Sequence, residues 1–167
     1  MMNISILGST GSIGTNTLEV ISRYPRHYNV IGLAAGKNIA KLADQVRAFS
    51  PDVVAIADPV DENILRERIT AYDTGLPEIV TGEAGMNTVA TLAESDMVVS
   101  AITGAAGMLP TIAAVRARKN IALANKEALV MAGELLMSES RQNGSRIIPV
   151  DSEHSAIYQL LQNETPR

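Results

Sequence analysis

A chain of 167 residues, 46% of them hydrophobic, is long enough to bury one core and too apolar to be disordered. Its net charge of −4, with no run of basic residues, gives no footprint for nucleic acid or an anionic membrane surface, and the lack of cysteine excludes disulfides and thiolate chemistry. With one Phe, four Tyr and no Trp, the core must be built from Ile, Val, Leu, Ala and Met, as buried parallel sheets are. The N-terminus enters an apolar run at once, and no run approaches the length of a membrane span, so a soluble cytoplasmic protein is the default expectation.

In chain order, Ile4 to Gly8 reads as a first strand and Ser12 to Arg23 as a helix with the stripe Ile13, Thr17, Val20, Ile21 and Tyr24, stopped by Pro25. Tyr28 to Ala35 is a second strand. Ile39, Leu42, Ala43, Val46 and Phe49 then recur at helical spacing up to Pro51. Val53 to Ala57 is a third strand, and Asp58-Pro59 opens a helix through Ile69. After a turn at Thr74-Gly75-Leu76-Pro77 come a short strand, Glu78 to Thr81, and a small-residue helix, Ala84 to Ala93. Asp96 to Ile102, Asn120 to Ala124 and Arg146 to Val150 read as strands. A helix opened by Pro110 runs through Ala117, and a longer one from Lys126 to Arg141 stops at Asn143-Gly144. Regular alternation of this kind predicts an α/β fold with a doubly wound, mostly parallel sheet of Rossmann-like type. The last piece, Asp151 to Arg167, reads as a helix start with Ile157, Leu160 and Leu161 on one face and nothing after it to pack against.

Between the first strand and its helix stands Gly8-Ser9-Thr10-Gly11-Ser12-Ile13-Gly14, a G-x-x-G-x-x-G variant of the dinucleotide fingerprint. Glycines there let a pyrophosphate approach the backbone and the free N–H groups of the helix start. In a parallel sheet, ligands bind beyond the carboxyl ends of the strands, where this chain also places Gly36-Lys37-Asn38, Thr103-Gly104, Asn125-Lys126-Glu127 and Asp151-Ser152-Glu153. The second strand ends without the carboxylate that would bind a ribose 2′-hydroxyl. Lys37 stands there instead as a cation for a 2′-phosphate, which favours NADPH over NADH. A P-loop is excluded, because it would need Gly at Ile31 and Ser or Thr at Asn38. Asp151 and Glu153 offer hard oxygens suited to Mg²⁺ or Mn²⁺, although on spacing alone the acidic first turn of a helix is the preferred reading. Lys126 sits at a helix start, against the sense of the dipole, which suggests that it meets an anion. His154 reads as an ordinary surface residue, and His27, beside Pro25 in a loop, has no visible partner in the sequence.

Taken together, the glycine turn, Ala35-Gly36-Lys37-Asn38, Ala124-Asn125-Lys126-Glu127 and Pro149-Val150-Asp151-Ser152-Glu153-His154 closely resemble the N-terminal part of the 1-deoxy-D-xylulose 5-phosphate reductoisomerase family. The resemblance implies an enzyme that rearranges 1-deoxy-D-xylulose 5-phosphate and reduces the product with NADPH to 2-C-methyl-D-erythritol 4-phosphate, for isoprenoid synthesis. It implies that Thr10, Gly11, Ser12 and Ile13 hold the pyrophosphate side of NADPH and that Gly36, Lys37 and Asn38 hold its 2′-phosphate end. Asn125 and Glu127 would line the cofactor, Lys126 and Ser152 would contact the sugar phosphate, and Asp151 and Glu153 would bind Mg²⁺ or Mn²⁺ as a Lewis acid. Lys126 and Glu153 are then the expected catalytic residues, in an enzyme that works as a homodimer without nucleic acid or membrane.

The departure from the family is length. Its members continue into a catalytic domain that supplies a third metal carboxylate, the substrate-phosphate site and a covering loop, and then into a helical C-terminal domain. The expected organisation is therefore a cofactor-binding domain over 1–150 and the opening segment of a second domain over 151–167, with no turnover by this chain alone. Another NADP-dependent oxidoreductase, or a stand-alone nucleotide-binding module, is the alternative.

Overall fold

The computed structural model describes residues 1–70 and 75–162. Seven strands, β1 (Met2–Leu7), β2 (Tyr28–Ala35), β3 (Val53–Ile56), β4 (Glu78–Thr81), β5 (Met97–Ser100), β6 (Asn120–Leu123) and β7 (Ile147–Pro149), form one sheet in the order β4-β3-β2-β1-β5-β6-β7. Every pairing is parallel, so the sheet is fully parallel rather than mostly so. Helices α1 (Ser12–Arg23), α2 (Ile39–Phe49) and α3 (Glu62–Thr70) link the strands that run outward from β1 on one side. Helix α4 (Gly82–Ala90) returns the chain to the centre, and α5 (Met108–Arg116) and α6 (Lys126–Asn143) link the strands on the other side. The strand order thus reverses between β1 and β5, the place where an open parallel sheet forms a ligand crevice. Helix α7 (Ser152–Gln162) follows β7.

Alternation along the strands divides the core in two. Ile4, Ile6, Leu33, Val54 and Ile56 pack against Leu18 and Ile21 of α1, Leu42 and Val46 of α2, and Leu65 and Ile69 of α3. Leu7, Ala34, Ala55, Val98 and Ile121 face Val89 of α4, Ile112 and Val115 of α5, and Leu136 of α6. Both faces of β2 and β3 are therefore covered by helices, which is why they read as continuous apolar runs.

Several boundaries differ from the sequence reading for local reasons. Asp58 accepts the Val60 N–H at 3.0 Å, and a single 3-10 turn at Pro59–Asp61 precedes α3. Helix α5 starts at Met108 after another such turn, so Pro110 lies inside the first helical turn, where its missing N–H costs no bond. Helix α6 is interrupted at Ala132 (φ −143°, ψ 25°), just before Gly133. The turn expected at 74–77 begins at Thr74, outside the described residues, as do residues 163–167 of the tail.

The stripe expected for α1 is rotated. Its buried residues are Gly14, Leu18 and Ile21, whereas Val20 and Tyr24 are about half exposed, at 52% and 53%. The cause is the glycine turn, because α1 must put Gly14 down onto it. Ile13, Thr17 and Val20 instead flank an open apolar groove floored by Ile4, Met97, Val99 and Ala122, where no helix covers that face of the sheet. Leu18→Ala is accordingly expected to cost about 2–5 kcal/mol and Val20→Ala less than about 1 kcal/mol. Denaturant unfolding checks this, and equal losses would restore the stripe read from the sequence.

Candidate functional site

Three glycines shape the turn after β1 in different ways. Gly8 has φ +86°, and a Cβ on it would lie 2.6 Å from the Ala101 carbonyl oxygen at the end of β5. A Cβ on Gly14 would lie 2.6 Å from the Ser9 Cα, so the first turn of α1 rests directly on the loop. Gly11 has only the Gly8 carbonyl oxygen in reach, at 3.3 Å, and stays exposed. Gly8 and Ser9 both donate their N–H groups to the Ala34 carbonyl, at 2.8 and 2.9 Å, which ties the turn to β2.

Gly11 caps α1 without a side-chain bond, and no acidic residue lies in its first turn. Thr15 N–H donates to the Gly11 carbonyl, so the Ser12, Ile13 and Gly14 N–H groups are the ones a helix start leaves without an intrahelical acceptor. The helix starts after β2 and β6 differ. Asn38 accepts the Lys41 N–H at 3.1 Å, and Asn125 accepts the Ala128 N–H at 3.1 Å. Helix α1 alone of these three offers uncapped donors at the strand-order reversal.

The free donors open on a cleft of about 430 Å³ lined by Gly11, Ser12 and Ile13, by Ala101 to Thr103, by Ala124 to Glu127 and by Val150 to Ser152. Three of the four sequence motifs therefore meet across the ends of β1, β5, β6 and β7. A second cleft, about 330 Å³ and mostly apolar, is lined by Gly36, Ala57, Gly82, Glu83, Met86 and Leu109, and shares Ile102 with the first. Sequence reasoning missed this second cleft. Its signal was present in Ala57, directly after β3, and Gly82, directly after β4 with φ +68°, because both lie on the carboxyl rim. Thr10, Lys37, Asn38 and Glu153 line neither cleft.

Side chains in the first cleft divide by role. Asn125 is buried, and its carboxamide is already committed, donating to the Gly104 carbonyl at 3.0 Å while capping α6. A Cβ on Gly107 would come within 2.5 Å of its amide nitrogen, so that position must be small for Asn125 to fit. Lys126 and Glu127 are exposed, and Lys126 Nζ lies 3.9 Å from Asp151 Oδ2. His154 Nδ1 lies 3.2 Å from Asp151 Oδ1, and Ser152 Oγ donates to Glu153 Oε2 at 2.8 Å. A hydrogen bond with the Glu153 carboxyl, aided by the Lys126 and His154 charges, holds the Asp151 carboxyl below its usual range.

The residues fit an anionic dinucleotide. Donors without a cap, a glycine open to approach and the exposed Lys37, which makes no ion pair among the described residues, are the groups a diphosphate with an additional phosphate would need. They fit a hard cation in part. Asp151 and Glu153 supply two carboxyls at the end of β7, but no group of three or more acidic, His or Cys side chains that could hold a metal occurs among the described residues.

Comparison with known proteins decides the family. The sequence profile of the 1-deoxy-D-xylulose 5-phosphate reductoisomerase family matches residues 4–133. The chain belongs to that family. A 1-deoxy-D-xylulose 5-phosphate reductoisomerase of Acaryochloris marina is 48% identical over 162 residues, covering 97% of this chain and 40% of the relative. A crystal structure of a DOX-P reductoisomerase in complex with magnesium superposes with a TM-score of 0.91 at 39% identity, over 95% of this chain and 39% of that one. The Zymomonas mobilis reductoisomerase in complex with NADPH gives 0.88 at 40% identity, over 95% and 41%. The chain thus spans about 40% of the length of the relatives it matches. Among the described residues, no helix is long and apolar enough to cross a membrane.

In an NMR-detected titration the Asp151 carboxyl is expected to ionise below the ordinary value of about 3.9. Losing that hydrogen bond in Glu153→Ala should raise the midpoint most, and removing a cation with Lys126→Met should raise it less, since both changes disfavour the charged form of Asp151. An unchanged midpoint in Glu153→Ala would mean the two carboxyls do not interact.

Proposed function

We propose that this chain is the NADPH-binding part of an enzyme that rearranges and reduces 1-deoxy-D-xylulose 5-phosphate to 2-C-methyl-D-erythritol 4-phosphate, a step toward isoprenoids. The observation that carries the reading is the uncapped, acid-free start of α1 at the reversal of strand order, opening on the cleft that also holds Lys126 and Asp151. Family membership supports the substrate, and the NADPH and magnesium of the related crystal structures support the two cofactors.

In this reading the backbone from Thr10 to Ile13 binds the pyrophosphate, with the α1 N–H groups as donors. Lys37 pairs with the 2′-phosphate. Asn38, whose carbonyl oxygen is taken by the Lys41 N–H, keeps its NH₂ group to donate beside it. Gly36 has no atom within 4 Å of its Cβ direction and so leaves room for the ribose phosphate. NADPH, when bound, supplies hydride for the reduction. Asn125 holds the rim in place and lines the cofactor with its committed side chain, and Glu127 borders it. Lys126 and Ser152 orient the sugar phosphate. Asp151 and Glu153 hold a divalent cation, which supplies Lewis acidity to the substrate's carbonyl and hydroxyl oxygens. Lys126, 3.9 Å from Asp151, would offset charge developing on those oxygens.

Residues 1–150 form the cofactor domain in this reading, and 151–167 open the catalytic one. The open apolar residues Ile157, Leu160 and Leu161 of α7 support that division. The enzyme acts as a homodimer in the cytoplasm, where reducing conditions suit a chain without cysteine.

A charge-assisted hydrogen bond from Lys37 to a 2′-phosphate is worth roughly 1.5–3 kcal/mol. The 167-residue chain should therefore bind NADPH at least about tenfold more tightly than NADH. Lys37→Ala should narrow the gap, and no turnover should be measurable without the remaining length. Equal affinities in a fluorescence titration would contradict the cofactor assignment.

A further inference from the structure

Helix α2 sets two polar side chains, Lys41 and Gln45, one turn apart against the back of the glycine turn. Gln45 Nε2 donates to the Ser9 carbonyl at 2.8 Å, and Lys41 Nζ donates to the Thr10 carbonyl at 3.0 Å. Gln45 is buried beside the apolar stripe Leu42, Ala43 and Val46, and its Oε1 has no partner among the described residues. A methionine of similar size would fill that place without burying an unpaired carbonyl. The bond to Ser9 is what the amide contributes.

A trans peptide holds its C=O and N–H on opposite sides, so turning the Ser9 carbonyl toward Gln45 turns the Thr10 N–H away from α2. Lys41 fixes the next peptide plane in the same way and puts a half-buried positive charge directly behind the turn. The helix that carries both side chains is capped by Asn38, immediately after Gly36 and Lys37. One rigid element therefore reaches the turn and the arm beside the second strand.

We propose that Lys41 and Gln45 are positioning residues for the dinucleotide: they lock the peptide planes of the turn and hold the pyrophosphate and 2′-phosphate subsites at a fixed separation through α2. The inference rests on the cofactor reading above. Pre-setting two linked subsites raises affinity for a ligand that spans both and does nothing for a ligand that fills one.

The test uses the 167-residue chain with Gln45→Met, Lys41→Met and Lys41→Arg, and two probes, NADPH and adenosine 2′-phosphate, read by NMR shift titration. Each Met variant should weaken NADPH about 5–10-fold, as loss of one hydrogen bond does. Both should leave adenosine 2′-phosphate within about twofold, and Lys41→Arg should keep NADPH affinity near that of the parent chain. NADPH binding unchanged in both Met variants, or both probes weakened alike, overturns the proposal. If Gln45→Met does not fold, the two Lys41 variants decide by the same criteria. A parent chain that fails to bind NADPH at all refutes the cofactor reading itself, a result distinct from a parent and variants that bind it equally.

Discussion

The structure depends on a backbone crossing too close for any side chain. Gly8 passes the end of β5 with no room for a Cβ beside Ala101, and Gly14 seats α1 on the loop at Ser9. That contact brings the helix start to the boundary between β1 and β5, where the strand order reverses and the flanking helices change face. Had α1 begun even a few ångström farther out, its free N–H groups would face solvent instead of the cleft shared with Asn125 and Asp151. The same seating turns Leu18 and Ile21 into the core and leaves Val20 over the open groove.

Local signals in the sequence carried most of the fold. Apolar runs, Pro and Gly stops and the strand–helix alternation place every strand and helix to within a few residues, because these depend on near neighbours. The face of α1 was not legible. Its burial is set by Gly14 against the loop, which Gly8 in turn holds against Ala101 on a distant strand end, and the alternative stripe through Ile13, Thr17 and Val20 has equal helical spacing. The break at Ala132 had one local signal, the neighbouring Gly133, which an otherwise helical pattern tolerates without a break.

At the site, the motifs were legible as rim residues because parallel topology sends every strand's carboxyl end to one edge. What joins them was not. Gln45 reads as a polar interruption of an apolar stripe, and only the structure puts its amide on Ser9. Lys37 and Asn38 lie on the rim yet outside both clefts, so in the proposed reading they would meet the cofactor from the side rather than from a pocket wall. The proposed cofactor subsites are the more complete within this chain. For the proposed cation subsite Asp151 and Glu153 have no third ligand group beside them among the described residues, in a chain spanning about 40% of the length of its relatives.

The central claim is that the uncapped start of α1 receives the cofactor's pyrophosphate. Amide ¹H–¹⁵N shifts of the labelled chain, followed on addition of NADPH, test it most directly. The account expects the largest changes at Thr10 to Gly14, with a second set at Gly36 to Asn38, and little change at Val20 or Met97 in the apolar groove. Shifts centred on that groove, with the amides of Ser12 and Ile13 unmoved, would contradict it.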